Sequence, residues 1–137
     1  MGVGSREVLK AGSGLAGGVA RHGETCGALT GAIMALSSVV GREKLEDIEQ
    51  YRKAMELAGC VYNLFREKVG HTLCWEIHKI KFGKIYRLFI PEERDAFHEM
   101  GGHNRKGCPE VCGIAARIAA DLILDLKKTQ QKGGIEL

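Results

Sequence analysis

The sequence predicts an all-α fold, a compact helical bundle with two long amphipathic helices and short connecting helices. Three observations carry this. Apolar residues recur at alternating spacings of three and four in separate segments, as on a helix with one buried face. Glycine and proline punctuate those segments where helices end and begin. Only "KFGKIYRLFI", residues 81–90, reads as a strand; one strand makes no sheet, so it is expected to be extended or coil. The 137 residues suit a single domain, 1–137, with a core large enough to fold alone.

Residues 1–22 read as a glycine-rich lead-in, with a short helix at about 5–11 and then an irregular loop. Cys26, Leu29, Ile33, Leu36 and Val40 then mark one face of a helix that Gly41 closes as a C′ residue. Gly27, Ala28, Gly31, Ala32 and Ala35 give it a second, small face that lets another backbone approach, so this helix is expected at the centre. Residues 43–69 form the second long helix, with a heptad-like seam of Ile48, Tyr51, Met55, Ala58, Tyr62, Phe65 and Val69. Leu57, Val61 and Leu64 add a second strip toward another neighbour, and Gly70 ends it. "TLCWEIHKI" is a short helix with Thr72 as N-cap. Pro91 opens "PEERDAFHEM", with acids in its first turn. Pro109 opens the last helix, whose stripe is Val111, Ala115, Ile118, Leu122 and Leu126, flanked by Ile114, Ala119 and Ile123. The tail, 128–137, is expected to fray.

Composition excludes several functions. The net charge is +3, basic residues are scattered, and aromatics are 6%, so no nucleic-acid partner is expected. No apolar stretch reaches spanning length, so no membrane insertion is expected. The start, "MGVGSREVLK", lacks an apolar h-region, and Arg6 stands where myristoylation wants Ser or Thr. The expected compartment is the cytoplasm.

"AGSGLAGG" places Gly12, Gly14 and Gly17 in a G-x-G-x-x-G. That fingerprint holds a dinucleotide only with a strand before it and an acid about 20 residues on. "REVLK" is too short and polar for that strand, Glu24 comes too early, and Glu43 falls in a helix. No nucleotide is expected.

The chemistry lies in the five cysteines, Cys26, Cys60, Cys74, Cys108 and Cys112. In a cytosolic chain they read as thiols, metal ligands or redox groups rather than structural disulfides, and the odd count agrees. Cys26 and Cys74 fall in first turns and Cys108 at the N-cap before Pro109, where free N–H groups and the helix dipole lower a thiol pKa. Each also has an ordinary reading: Cys26 as a small hydrophobe on its seam, Cys74 packed beside Trp75, Cys108 as a cap. Jointly the three favour function. Cys60 is expected in the core. Cys112, four residues after Cys108, could share a metal with it or face the core beside Ala115 and Ala116, with the core slightly favoured. Cys74 and His78 are spaced i, i+4, which suits a shared metal. His98 and His103 flank "EMGG" and His22 precedes Cys26 by four; each reads first as solvated. The possible metal set is therefore Cys26, Cys74, Cys108, Cys112 and His78. No C-x-x-C, C-x-x-C-H or H-E-x-x-H occurs.

"GGVARHGETCGALTGAIMAL", residues 17–36, resembles the CGAxxG family, known by the motif string C_GCAxxG_C_C, for which redox activity is inferred from its cysteines. The motif reads Cys26-Gly27-Ala28-Leu29-Thr30-Gly31. "GHTLCWEIH" at Cys74 and "EMGGHNRKGCPEVCGIAARIAADLIL" at Cys108 match its later cysteines, and the resemblance runs from about residue 8 to 125. It implies an all-helical domain that draws distant cysteines together. A similar domain stands beside haem in split-Soret cytochromes, which implies electron transfer as a setting. The chain departs from the family pattern in carrying no cysteine in residues 1–25. A quartet would then need Cys112, Cys60 or a second subunit, and the seam would be left partly uncovered, so a homo-oligomer is expected.

The leading expectation is a redox protein, an oxidoreductase or electron-transfer protein. Its catalytic residues Cys26, Cys74 and Cys108 would act by thiol–disulfide exchange or as ligands to a metal ion or iron–sulfur centre. In the thiol version one cysteine of depressed pKa attacks and another resolves, Cys26 belonging to the pair, with an unidentified redox partner or small thiol. Two rival readings are a helical oligomerisation module with structural cysteines, and a metal-binding protein using Cys74, His78, Cys108 and Cys112.

Overall fold

Ser5 opens the first helix, its hydroxyl accepting the Val8 N–H. In the computed structural model, which describes residues 2–133, the order is α1 (Arg6–Gly12), a 3-10 turn (Ser13–Leu15), α2 (Gly27–Val40), α3 (Ile48–Val69), α4 (Cys74–Phe82), α5 (Pro91–Glu99) and α6 (Cys108–Gly133). The protein is all-α, and residues 83–90 are coil, as expected of the lone strand candidate. Among the described residues no helix is long and apolar enough to cross a membrane.

Three helices build the main core. α2 packs against both α3 and α6, and these two also touch. Leu29, Ala32, Leu36 and Val40 of α2 meet Val61 and Phe65 of α3 and Val111, Ala115, Ile118 and Ile123 of α6. The stripes expected on α2 and α6 are thus the buried ones. Fully burying a side chain such as Leu36 or Phe65 is worth about 1.5–3 kcal/mol. A smaller cluster of Tyr86, Leu88 and Phe97, with Phe82 and Cys108 against it, sits where α4 and α5 cover one end of the bundle.

Several expectations are corrected. α3 begins at Ile48 rather than at residue 43, because Asp47 caps it by accepting the Gln50 N–H at 2.9 Å. The preceding residues turn instead, held by Arg42 Nη1 donating to the Leu45 carbonyl. The face of α3 that meets the core is Ala54, Leu57, Val61, Leu64 and Phe65. The Ile48, Tyr51, Met55 and Tyr62 row of the predicted seam is exposed, at 41–55%. Gly41 ends α2, but with φ −68°, not left-handed; a side chain there would press on the Ser37 carbonyl. The N-cap of α4 is Leu73, whose N–H is taken by His71 Nδ1, while the Thr72 hydroxyl meets Tyr62. α6 runs on to Gly133, through the start of the tail expected to fray from 128; residues 134–137 of that tail lie outside the described ones. Cys60 is exposed on α3, not in the core.

The small face of α2 serves two purposes. At Gly27 a Cβ would stand 2.8 Å from the Leu15 carbonyl oxygen, so the lead-in does lie directly on the helix there. Gly31 has no neighbour within that reach and faces a cavity instead.

Candidate functional site: a thiol-lined cavity

The lead-in reaches α2 by an uncommon route. Gly17, Gly18, Val19, Ala20 and Arg21 all have positive φ, from 49° to 72°, a short left-handed turn. For the three non-glycine residues this conformation costs roughly 1–2 kcal/mol each. Backbone bonds hold it: Ala20 N–H to the Gly14 carbonyl at 2.8 Å, Arg21 N–H to Ala16 at 3.0 Å, Glu24 N–H to Gly18 at 3.0 Å.

Residues 23–26 then pair antiparallel with 72–75. Thr25 and Leu73 form the bridge. Cys26 N–H donates to the Thr72 carbonyl at 2.9 Å, Cys74 N–H to Glu24 at 2.8 Å, and Trp75 N–H to Gly23 at 3.1 Å. This short ladder lashes the start of α2 to the start of α4. Cys26 and Cys74 become diagonal neighbours on one of its faces. Gly23 permits the approach: its φ is +78°, and any Cβ would overlap the Trp75 indole.

The start of α6 completes the site, Cys108 N–H donating to the Gly102 carbonyl at 2.8 Å. Cys108 is the first helical residue rather than the N-cap. The three helix starts surround a cavity of about 570 Å³ lined by Cys26, Cys74, Cys108 and Cys112. Cys74 is buried, Cys26 and Cys108 are half-buried, and Cys112 is exposed. All three cysteines singled out as catalytic therefore come together. Cys112 takes the fourth place; its expected position in the core is corrected, and Cys60 stays outside. All five are free thiols.

At the floor, Cys74 Sγ lies 3.7 Å from His78 Nε2. His78 is fully buried, stacked on Phe97 at 4.8 Å between ring centroids and edge-on to Phe82 and Tyr86. Its Nδ1 makes no hydrogen bond. Burial holds its pKa below the usual 6.5, so the ring is neutral.

The thiols do not have the depressed pKa expected at helix starts. Burial pushes Cys74 up to about 12 and Cys108 to about 11, and each is raised further by neighbouring cysteines, Cys26 first. Cys26 is raised by burial against the opposing pull of the Ala28 and Leu29 N–H groups. Cys112 is raised by burial too. The reason is local: the N–H groups that open α4 are already spent on Glu24 and Gly23 carbonyls, so little remains to offset the lost water. Cys26 adds to the raising of Cys74 and Cys108 and is itself raised by Cys112, as befits neighbours around one cavity.

Sequence reasoning did not find Arg21 and Arg94, which also line the cavity, and gave His98 and His103 little weight. His98 and His103 meet at 3.0 Å between Nδ1 atoms, so one donates to the other. Arg94 and His98 are four apart on α5, a spacing that puts both on one face and could have been read. Arg21 carried no such signal, since only the left-handed turn brings it to the cavity. The metal set Cys26, Cys74, Cys108, Cys112 and His78 is gathered at the cavity. Yet among the described residues no group of three or more His, Cys, Asp or Glu is arranged to hold one metal ion.

An all-α protein with four thiols from distant segments around one cavity is a cysteine-cluster protein. Residues 1–122 match the family described as "Putative redox-active protein (C_GCAxxG_C_C)", and the chain belongs to that family. No curated protein and no solved structure matches it.

Proposed function

We propose that the chain is a redox protein working by thiol–disulfide exchange, cycling between free thiols and a disulfide from Cys26 to Cys74. One observation carries this reading: the 23–26/72–75 ladder sets these cysteines side by side while His78 Nε2 touches the Cys74 sulfur. Diagonal neighbours in a regular ladder are about 7–8 Å apart. A disulfide wants Cα atoms about 5.5–6 Å apart, so closing it draws the two helix starts slightly together. Cys26, half-buried and eased by the Ala28 and Leu29 N–H groups, attacks the partner disulfide. Cys74, buried beside His78, resolves the mixed disulfide, its proton leaving by way of that neutral ring. Cys108 and Cys112 are further thiols to which the disulfide can pass. A cytoplasmic setting suits these free thiols. The exposed Ile48, Tyr51, Met55 and Tyr62 row supports self-association.

The second reading, an iron–sulfur or metal centre, is separated by protein purified without oxygen. Exchange predicts a colourless protein without stoichiometric metal, whose thiols react with a small disulfide and whose reaction drops at least about tenfold in Cys26→Ser, the nucleophile being lost. A visible chromophore with bound iron and sulfide, or equal rates in wild type and Cys26→Ser, contradicts it.

A further inference from the structure

The cavity has a charge pattern that the thiol chemistry does not use. Arg21, exposed on the left-handed turn, and Arg94, half-buried on α5, both line it. Neither guanidinium has a carboxylate partner among the described residues; Arg94 Nη1 makes only a long contact, 3.5 Å, to the Leu88 carbonyl. No Asp or Glu is among the described residues lining the cavity. Besides His78, His98, His103 and the sulfurs, its walls are mainly apolar, with Met34, Ile77, Leu88 and Val111 among them. Cationic forks over apolar walls fit an organic anion, since a guanidinium binds a carboxylate through two parallel N–H···O bonds. The volume, about 570 Å³, is that of a small-molecule site. The route by which Arg21 arrives is itself costly, because Val19, Ala20 and Arg21 hold left-handed backbone, and such strain gathers at ligand clamps.

We propose that the cavity binds a low-molecular-weight disulfide bearing carboxylates, held by Arg21 and Arg94 with its S–S bond over the cysteine cluster. The assignment rests on the exchange reading above and names its substrate class. The Cys26 sulfur attacks one sulfur of R–S–S–R. A protein–S–S–R bond forms, the ligand S–S bond breaks, and RS⁻ leaves, taking up the Cys26 proton. Cys74 then attacks the Cys26 sulfur, forming the Cys26–Cys74 disulfide and releasing the second RS⁻, which takes the Cys74 proton by way of His78. Two protein thiols are oxidised to one disulfide and one ligand disulfide is reduced to two thiols, with no other reactant.

The test uses the reduced full chain with three reagents: 3,3′-dithiodipropionate (anionic), 2-hydroxyethyl disulfide (neutral) and cystamine (cationic). Each rate is divided by the same reagent's rate with the urea-unfolded chain, which removes intrinsic reactivity. The anionic reagent is expected to be favoured over the neutral one by about tenfold, one charge-assisted contact's worth, and cystamine disfavoured. In Arg21→Gln/Arg94→Gln the preference falls to within about twofold, as expected once those contacts are lost. Arg117→Gln, exposed and away from the cavity, keeps the wild-type ratio. A ratio near one in wild type, or an undiminished ratio in the double variant, overturns the proposal. Calorimetry with adipate, which has no S–S bond, separates the two claims. Arginine-dependent adipate binding without exchange by any disulfide keeps the anion site and sinks the exchange reading. Exchange with neither charge preference nor adipate binding does the reverse. Inorganic phosphate displacing adipate at equal concentration overturns the choice of a carboxylate.

Discussion

The Cys74 sulfur sits where α4 begins, 3.7 Å from an imidazole, and yet its thiol is pushed up to about 12. Helix position lowers a thiol pKa through free N–H groups, and here the backbone pairing with residues 23 and 24 uses them. Lost hydration then decides the direction, and neighbouring thiols add to it. The sequence spacing located the sulfurs well but could not reveal that their donors were committed. A pH dependence follows. A raised thiol stays protonated in the folded chain after the unfolded chain has begun to lose its proton near 9.0. Stability is therefore fully present below that value and falls as pH rises toward about 11 and about 12. His78 acts at the other end: its folded pKa lies below 6.5, so stability falls as pH drops under that value. Urea midpoints of the reduced protein should pass through a maximum between these limits. Iodoacetamide should label exposed Cys60 first and reach Cys74 only as pH climbs. A flat stability profile with fast labelling of Cys74 at neutral pH would contradict the burial argument.

Among the elements, α2 and α6 were legible because each has a single apolar stripe, and α5 because proline opens it with acids in its first turn. α3 was legible as a helix but not in its facing. Two apolar rows run along it, and periodicity alone does not say which row a neighbour covers. Ala54, Leu57, Val61, Leu64 and Phe65 meet the core, while Tyr51, Met55 and Tyr62 lie outside. The left-handed turn had no legible signal at Val19, since a β-branched residue at φ 58° contradicts local preference. Two substitutions test this segment by urea unfolding. Gly23→Ala adds a Cβ at φ +78° and into Trp75, and should cost about 3 kcal/mol or more. Val19→Gly removes the left-handed penalty of a β-branched residue and should stabilise by about 1 kcal/mol. Loss of stability in Val19→Gly would mean that its side chain holds the turn through packing.

For the molecule as a whole, three helix starts from distant parts of the chain meet at one end of the bundle and leave space between them. Helical pattern and glycine placement made the starts predictable, and with them Cys26, Cys74 and Cys108. The cavity was not predictable, because its walls come from loops whose pairing, 23–26 with 72–75, is long-range. The spacing therefore leaves its fourth thiol, Cys112, between a metal shared with Cys108 and the core, and gives no sign of the arginines. Gly17 and Gly18 of "AGSGLAGG" belong to this geometry: they start the left-handed turn. The central claim is that Cys26 and Cys74 form the redox pair. It is tested most directly by oxidising the anaerobically reduced chain with one equivalent of a small disulfide and mapping the linkages by peptide mass spectrometry. The account predicts a dominant Cys26–Cys74 disulfide with Cys60 left free. Dominant intermolecular linkage through Cys60, or no disulfide within the cavity's four cysteines, would contradict it.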